Sequence, residues 1–413
     1  MVTRILIFFP LVLFVLIRQL YANLLGVSRD ALTAALVSAL AGFALWSFHR
    51  RLDEVRRDFL WLDFINLVQF NLAAAVILAY LVAGRIAVNE AVFSVYYYCF
   101  APFLIYAGFL LHRWKSVSRN AALVALACAY LVTVWVAVYE VLGIDFWLFQ
   151  YDRWVLQKNF SGIVRASGLY GTQIDYGLLS FLIFIVAFYW NARHKHWFAS
   201  LMTAVAAVGV LLSMSRAWVG AMMVVVLLHL LRAQSLRRKL KIALVVVLMG
   251  VALYGIADKL GFVDILGAVD PYTQDSNQAR VEFFQNAPQW LAHYWLLGTG
   301  PGTQNGPDAR DQKFIGDFLW LSTLVEWGTL LGTVLLFFRV SVIVYALRRT
   351  LQSESGGVLR SVTIAVCISF LLASFVDSAY AHFVSVSAFY VIVGLFLYAA
   401  PQSPGREAAA AVI

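Results

Sequence analysis

Three arginines stand apart from the other basic residues of this chain. Arg165 lies in Val-Arg-Ala-Ser-Gly-Leu-Tyr-Gly, Arg216 in Ser-Met-Ser-Arg-Ala-Trp and Arg280 in Asn-Gln-Ala-Arg-Val-Glu-Phe-Phe. A guanidinium is always charged and offers a planar fork of N–H donors that grips phosphate oxygens two at a time. Taken singly, each could equally be a solvated loop charge. Arg216, between two apolar runs, also fits a snorkelling arginine at a helix end. Ser213 and Ser215 beside it could hydrogen-bond a phosphate or simply end a helix. The coincidence favours a shared task, because all three arginines fall on the membrane side opposite the basic loops. Positive charge held there suits an anionic, lipid-linked group.

Two carboxylates form the second set. Asp317 stands just before an apolar run and Glu326 nine residues later in Asp-Phe-Leu-Trp-Leu-Ser-Thr-Leu-Val-Glu-Trp-Gly. In one continuous helix Glu326 would lie about two and a half turns in. Carboxylates inside a membrane are costly and are functional candidates by default. Asp317 could instead be a helix N-cap, and Glu326 a buried partner of an arginine. Asp175 and Asp377 are weaker candidates at helix ends. His293 and His382 stand singly with no ligand-spaced partner. Neither a Gly-Lys-Ser/Thr phosphate loop, nor an Asp-x-Asp pair for a nucleotide-sugar metal, nor a Gly-x-Ser-x-Gly elbow occurs at these sites.

The elements that must hold these residues are membrane helices. The 413 residues are 62% hydrophobic and 13% charged. A span needs about 20 mostly apolar residues. Apolar runs cover 5–20, 31–48, 59–83, 91–111, 120–143, 174–190, 197–215, 217–231, 242–257, 318–338, 361–379 and 383–400, which predicts about twelve helices. Their unbroken apolarity is unlike the alternation of a barrel. The fold class is therefore all-α and polytopic, with one membrane domain over 1–400 and a disordered cytoplasmic tail over 401–413. The start resembles a signal peptide, but no small-residue cleavage site follows, so an uncleaved first span is expected.

Lys and Arg set the orientation. Arg50, Arg51, Arg56 and Arg57, then Arg113, Lys115 and Arg119, Arg193 and Lys195, the 232–241 cluster, and Arg339, Arg348, Arg349 and Arg360 fall between alternate spans. Put inside, they leave both termini cytoplasmic and two long loops, 144–173 and 258–317, outside. Their roles are topology and contact with anionic membrane lipids. No nucleic-acid signal is present. Cys99, Cys128 and Cys367 all fall in spans, so no disulfide is expected. Within the second loop, Ser276 could cap a helix whose Phe283, Phe284, Ala287, Trp290, Leu291 and Tyr294 share a face, with Pro288 as a kink. Such a helix suits the membrane interface. Gly298-Thr-Gly-Pro-Gly302 after it forms turns.

Three blocks in this order resemble the O-antigen ligase and O-antigen polymerase superfamily of bacterial envelopes. They are Arg165-Ala-Ser-Gly-Leu-Tyr-Gly, Ser213-Met-Ser-Arg-Ala-Trp, and a third from Arg280 through Trp290 and Leu296-Leu-Gly-Thr-Gly-Pro-Gly302 to Leu319–Gly332. The resemblance implies an inverting, metal-independent glycosyl transfer at the outer face of the inner membrane, with no cofactor. The donor would be a glycan on undecaprenyl pyrophosphate. The acceptor would be a second lipid-linked glycan, or lipid A-core for a ligase. It also implies Arg216 and Arg280 as pyrophosphate ligands, with Arg165 in support. Where ligases of the group carry His-Asn, this chain has Asp317-Phe318. That departure favours polymerase over ligase, with Asp317 as general base and Glu326 as second choice. A chain-length regulator protein is a further expected partner. A lipid-glycan flippase or transporter is the alternative of a different class, though the notable charges sit near helix ends rather than at the midplane where transporters place them.

Overall fold

A computed structural model describes residues 29–54, 60–113, 116–142, 166, 168, 173–195, 197–213, 215–231, 275–303, 319–352, 362–367, 369–371 and 383–399. Helices numbered in order are α1 (Arg29–Glu54), α2 (Leu60–Val82), α3 (Val88–Ser94), α4 (Ile105–Arg113), α5 (Ser116–Val141), α6 (Gln173–His194), α7 (Trp197–Leu212), α8 (Arg216–Leu231), α9 (Asp275–His293), α10 (Leu319–Trp327), α11 (Thr329–Gln352) and α12 (Phe383–Ala399). No strand occurs among the described residues. These labels do not count spans. Four stretches are long and apolar enough to cross a membrane: Trp61–Val82, Val88–Gly108, Val124–Val141 and Thr329–Leu351. Shorter apolar helices run over Tyr176–Ala192, Trp197–Leu212, Ala217–Leu227 and Val362–Leu371. The expected first and ninth spans, most of the 144–173 loop and about half of the 258–317 loop lie outside the described residues. The protein is a multi-pass membrane protein.

The Val88–Gly108 stretch departs from a regular helix for a reason visible in its sequence. A π-helical turn over Val95–Phe100 runs into a 3-10 turn over Ala101–Leu104. Pro102 has no N–H to give to the carbonyl four residues before it, that of Tyr98. The side-chain amide of Gln69 on α2 donates to this freed carbonyl at 3.0 Å. An apolar interior demands such a replacement, since no solvent can supply it. Three residues along α2, Asn66 donates to the Tyr106 hydroxyl at 3.1 Å, and that hydroxyl donates to Asp63 at 2.7 Å. The wider turn leaves three consecutive rings, Tyr96, Tyr97 and Tyr98, buried in the core.

Around this segment pack α1, α2 and α12, and α12 also lies against α4, α6 and α11. Backbones approach closely where side chains are small. A Cβ on Gly394 of α12 would run into the backbone of Ile105. A hairpin of α6 and α7 joins the bundle, with α5 against α7 and α8 against α6.

Two expectations are corrected here. Arg339 does not end a span in a basic loop. It lies ten residues after Thr329 inside α11 and is 4% exposed. Its guanidinium lies 4.4 Å from the Tyr97 ring centroid and 4.7 Å from that of Tyr98, and Nη1 donates to the Tyr97 hydroxyl at 3.3 Å. Cation–π attraction in a dry interior is how an arginine can sit there. Secondly, the 318–338 run is not one helix. α10 ends at Trp327, Gly328 takes φ +81°, and α11 begins at Thr329. Glu326 therefore closes a short helix rather than sitting deep in a long one.

Candidate functional site

The first two arginine blocks meet. The amide of Ala166, next to Arg165, donates to the carbonyl of Leu212 at 3.1 Å. Leu212 ends α7, four residues before Arg216. The amide of Gly168 donates to the Glu140 carboxylate at 2.9 Å, in the last turn of α5. Gly168 needs to be glycine: its φ is +55°, and a Cβ would stand 2.9 Å from Thr133 Cγ2 and 3.0 Å from Tyr176 Cδ2. Positive φ and close approach both exclude other side chains. Thr133 and Glu140 are seven residues apart, two turns along one face of α5, so one helix face holds the turn that follows Arg165.

The second block is built tightly. Ser213 Oγ donates to the Val210 carbonyl at 2.7 Å and accepts from the Ser215 amide at 3.2 Å. Both serines are buried. Of the two roles open to them, the structure shows helix termination. Ser215 then precedes α8, and its carbonyl accepts the first bond of that helix from the Val219 amide at 3.0 Å. Arg216 is thereby the first residue of α8, where free N–H groups and the helix dipole also favour an anion. Gly177 of α6 lets this corner close: a Cβ there would stand 2.7 Å from Trp218 Cδ1 and 2.8 Å from Ser213 Oγ. Trp218 stacks on Phe181 at 5.7 Å.

The third block is a self-capping unit. A helix ends with unpaired carbonyls and begins with unpaired N–H groups. The last carbonyls of α10 accept from the glycine-rich turn, Thr299 N to Val325 O at 2.9 Å and Gly300 N to Glu326 O at 3.0 Å. The first amides of α11 are taken up by the end of the preceding segment, Thr329 N to Tyr294 O at 2.8 Å and Leu330 N to Trp295 O at 3.0 Å. Thr329 Oγ1 also donates to Leu291 O at 2.9 Å. The Gly298–Gly302 turn is thus a docking device, further held by the Tyr80 hydroxyl on Gly298 O at 3.2 Å.

That docking revises the interfacial helix. α9 begins at Asp275, so Ser276 falls inside its first turn, and Pro288 lies inside the helix. Ala287, Trp290, Leu291 and Tyr294 pack against Leu321, Leu324 and Val325 of α10, not outward. Phe284, Trp295, Leu296 and Leu297 remain exposed.

Among the expected site residues, Arg216 and Arg280 are placed by backbone only, at the start of α8 and within the first turns of α9. Arg165, Asp317, Asp377 and His382 lie outside the described residues, as do the side chains of Asp175, Arg216 and Arg280. Glu326 is 1% exposed beside Trp327, whose ring meets Tyr98 edge-on at 4.6 Å. His293 is exposed, in edge contact with Tyr294 at 4.7 Å. Cys99, Cys128 and Cys367 are free thiols. Among the described residues no group of three His, Cys, Asp or Glu side chains gathers. Sequence reasoning missed Glu140, an acid in the last turn of a span, and Arg339, whose signal was the apolar run continuing on both sides of it.

Residues 201–337 match the family model for O-antigen ligase. The match supports the O-antigen ligase and polymerase superfamily and brings the O-antigen and polysaccharide assembly class of membrane enzyme with it. It runs from α7 into α11, so it contains the second block and the third, while Arg165 precedes it. The comparison with curated proteins gave no match.

Proposed function

We propose that the protein is a polysaccharide polymerase: an inverting glycosyltransferase that joins repeat units, of O-antigen or an exopolysaccharide, carried on undecaprenyl pyrophosphate. The reaction takes place at the periplasmic face of the inner membrane. The observation that carries the reading is the Ala166–Leu212 hydrogen bond, which sets the Arg165 segment against the corner that presents Arg216. The family match over the same corner supports it.

In the reaction, an acceptor hydroxyl attacks the anomeric carbon of the donor glycan. The bond from that carbon to the pyrophosphate oxygen breaks, and the configuration inverts. Negative charge grows on the departing pyrophosphate, so preorganised cations there are the main catalytic term. Arg216 and Arg280 hold it, and Arg165 supports them. The acceptor proton passes to a general base. Asp317 takes this role and Glu326 is the second choice. The transfer is metal-independent, as the resemblance implies.

The Asp317-Phe318 pair favours polymerase. The matched family, O-antigen ligase, favours the ligase reading, in which lipid A-core is the acceptor. A deletion strain separates them. Loss of polymerisation leaves single repeat units on the lipid carrier. Long chains stranded on the carrier would instead indicate a ligase, and units facing the cytoplasm a flippase.

A further inference from the structure

We infer that Glu140 is a positioning residue for donor binding: its carboxylate holds the turn that follows Arg165, and so sets Arg165 beside the Arg216 corner. The inference rests on the proposed use of Arg165 as a pyrophosphate contact. It concerns a residue outside all three blocks, on a helix that the family match does not reach.

Among the described residues, two hydrogen bonds fix the turn. One is the Ala166 amide on Leu212 O at 3.1 Å, and the other is the Gly168 amide on Glu140 Oε2 at 2.9 Å. The first bond ties the turn to the α7–α8 corner. The second ties it to α5. With one bond alone, the segment from Ala166 to Gly168 can still pivot. With both, and with Thr133 and Tyr176 filling the space where a Gly168 Cβ would be, Ala166 and Gly168 are each held in place. A carboxylate accepting a backbone N–H is a charge-assisted bond, stronger than one between neutral groups. Side chains on a helix lean toward its N-terminus. That direction carries the Glu140 carboxylate back toward Thr133 and the turn. Leu212 is four residues from Arg216, so at most about 14 Å of chain separates the fixed carbonyl from the second arginine. Pinning the turn thus limits how far apart the two guanidinium-bearing backbones can be when a diphosphate arrives.

The Gly168 bond needs an acceptor oxygen at this point, which a neutral side-chain amide also supplies. Glu140→Gln keeps an acceptor and Glu140→Ala removes it. Full-length protein in lipid nanodiscs is assayed with purified lipid-pyrophosphate-linked repeat units. Glu140→Ala is expected to lower kcat/KM for the donor about tenfold, through a higher KM and a lower kcat, because Arg165 supports the pyrophosphate both when it binds and as charge grows on it. Glu140→Gln should stay within about threefold of the parent kcat/KM. In the double variant with Arg165→Ala, the two effects should fall well short of multiplying, because one acts through the other. Amide exchange of Ala166 and Gly168, which needs no substrate, should rise in Glu140→Ala and not in Glu140→Gln. An unchanged exchange rate in Glu140→Ala, a kcat/KM unchanged despite faster exchange, or a Gln variant as impaired as the Ala variant each overturns the inference. A parent protein that transfers nothing contradicts the functional reading instead, and the exchange result still decides whether Glu140 holds the turn.

Discussion

The Ala166 amide and the Leu212 carbonyl, 3.1 Å apart, join two segments separated by two helices in the chain. One follows Arg165 and the other leads into Arg216. The first is a turn and the second is the end of α7, and each is held by buried small or polar groups: Gly168 against Thr133, and Ser213 against Gly177. The arrangement makes a corner out of what would otherwise be two loops.

Gly168→Ala tests that corner. Alanine at φ +55° is strained, and its Cβ would meet the Thr133 methyl. A strain of about 1–2 kcal/mol is expected from backbone conformation alone. Transfer activity should drop at least about tenfold while the helical circular dichroism signal is retained. Parent-like activity would show that the turn is not needed.

Gly328 and Gly220 make a contrasting pair. Gly328 has φ +81° and its missing Cβ would sit 2.5 Å from the Leu296 carbonyl, whereas nothing lies within 4 Å of a Cβ on Gly220 in α8. Gly328→Ala should cost about 3 kcal/mol or more, a large loss for a backbone clash joined to strain. Gly220→Ala should be neutral or stabilising by up to about 1 kcal/mol. Thermal unfolding in detergent reads both.

Arg339 gives a third expectation. Its Nε and Nη2 have no hydrogen-bond partner among the described residues, while the guanidinium face lies on Tyr97 and Tyr98. What it contributes is packing and cation–π attraction rather than an ion pair. Arg339→Met should therefore keep most of the stability, since a buried charge replaced by an apolar side chain of similar length is often tolerated. Arg339→Ala should lose about 2–4 kcal/mol through the cavity it leaves. Equal melting temperatures for Ala and Met would contradict this.

Arg280→Lys and Asp317→Asn separate leaving-group binding from proton transfer. Lysine keeps the charge and loses the bidentate fork, so Arg280→Lys should lose most activity with normal membrane expression. Asp317→Asn should leave donor binding intact and lower kcat by about 10²-fold or more, the range of general-base contributions. Full activity in Asp317→Asn would move the base to Glu326 or remove the need for one.

How far the chain could be read in advance depended on what each signal measures. Apolar runs predict helices well, because a membrane interior leaves the backbone few alternatives. The arginine blocks were legible as residue types, and the match over 201–337 spans the second and third of them. The break at Gly328 was not, since glycine barely lowers a hydropathy average. What creates the break is tertiary: Tyr294 and Trp295 supply carbonyls to α11, and Thr299 and Gly300 supply amides to α10. Arg339 was misplaced because a charge count treats every arginine as a loop marker. Its ring neighbours, Tyr97 and Tyr98, lie far away in sequence. Four of the six residues expected to share the α9 face, Ala287, Trp290, Leu291 and Tyr294, pack on α10, a partner that periodicity cannot name, while Phe284 is exposed. Glu140 carried no local pattern at all, for its bond to the Gly168 amide joins residues far apart in the chain.

The central claim is tested most directly by polymer formation from purified lipid-pyrophosphate-linked repeat units, with the product length read on a gel. The parent protein should convert single units into a ladder of longer chains. Arg216→Ala and Arg280→Ala, each present in the membrane at parent levels, should leave the units unextended. A full ladder from both variants would contradict the account.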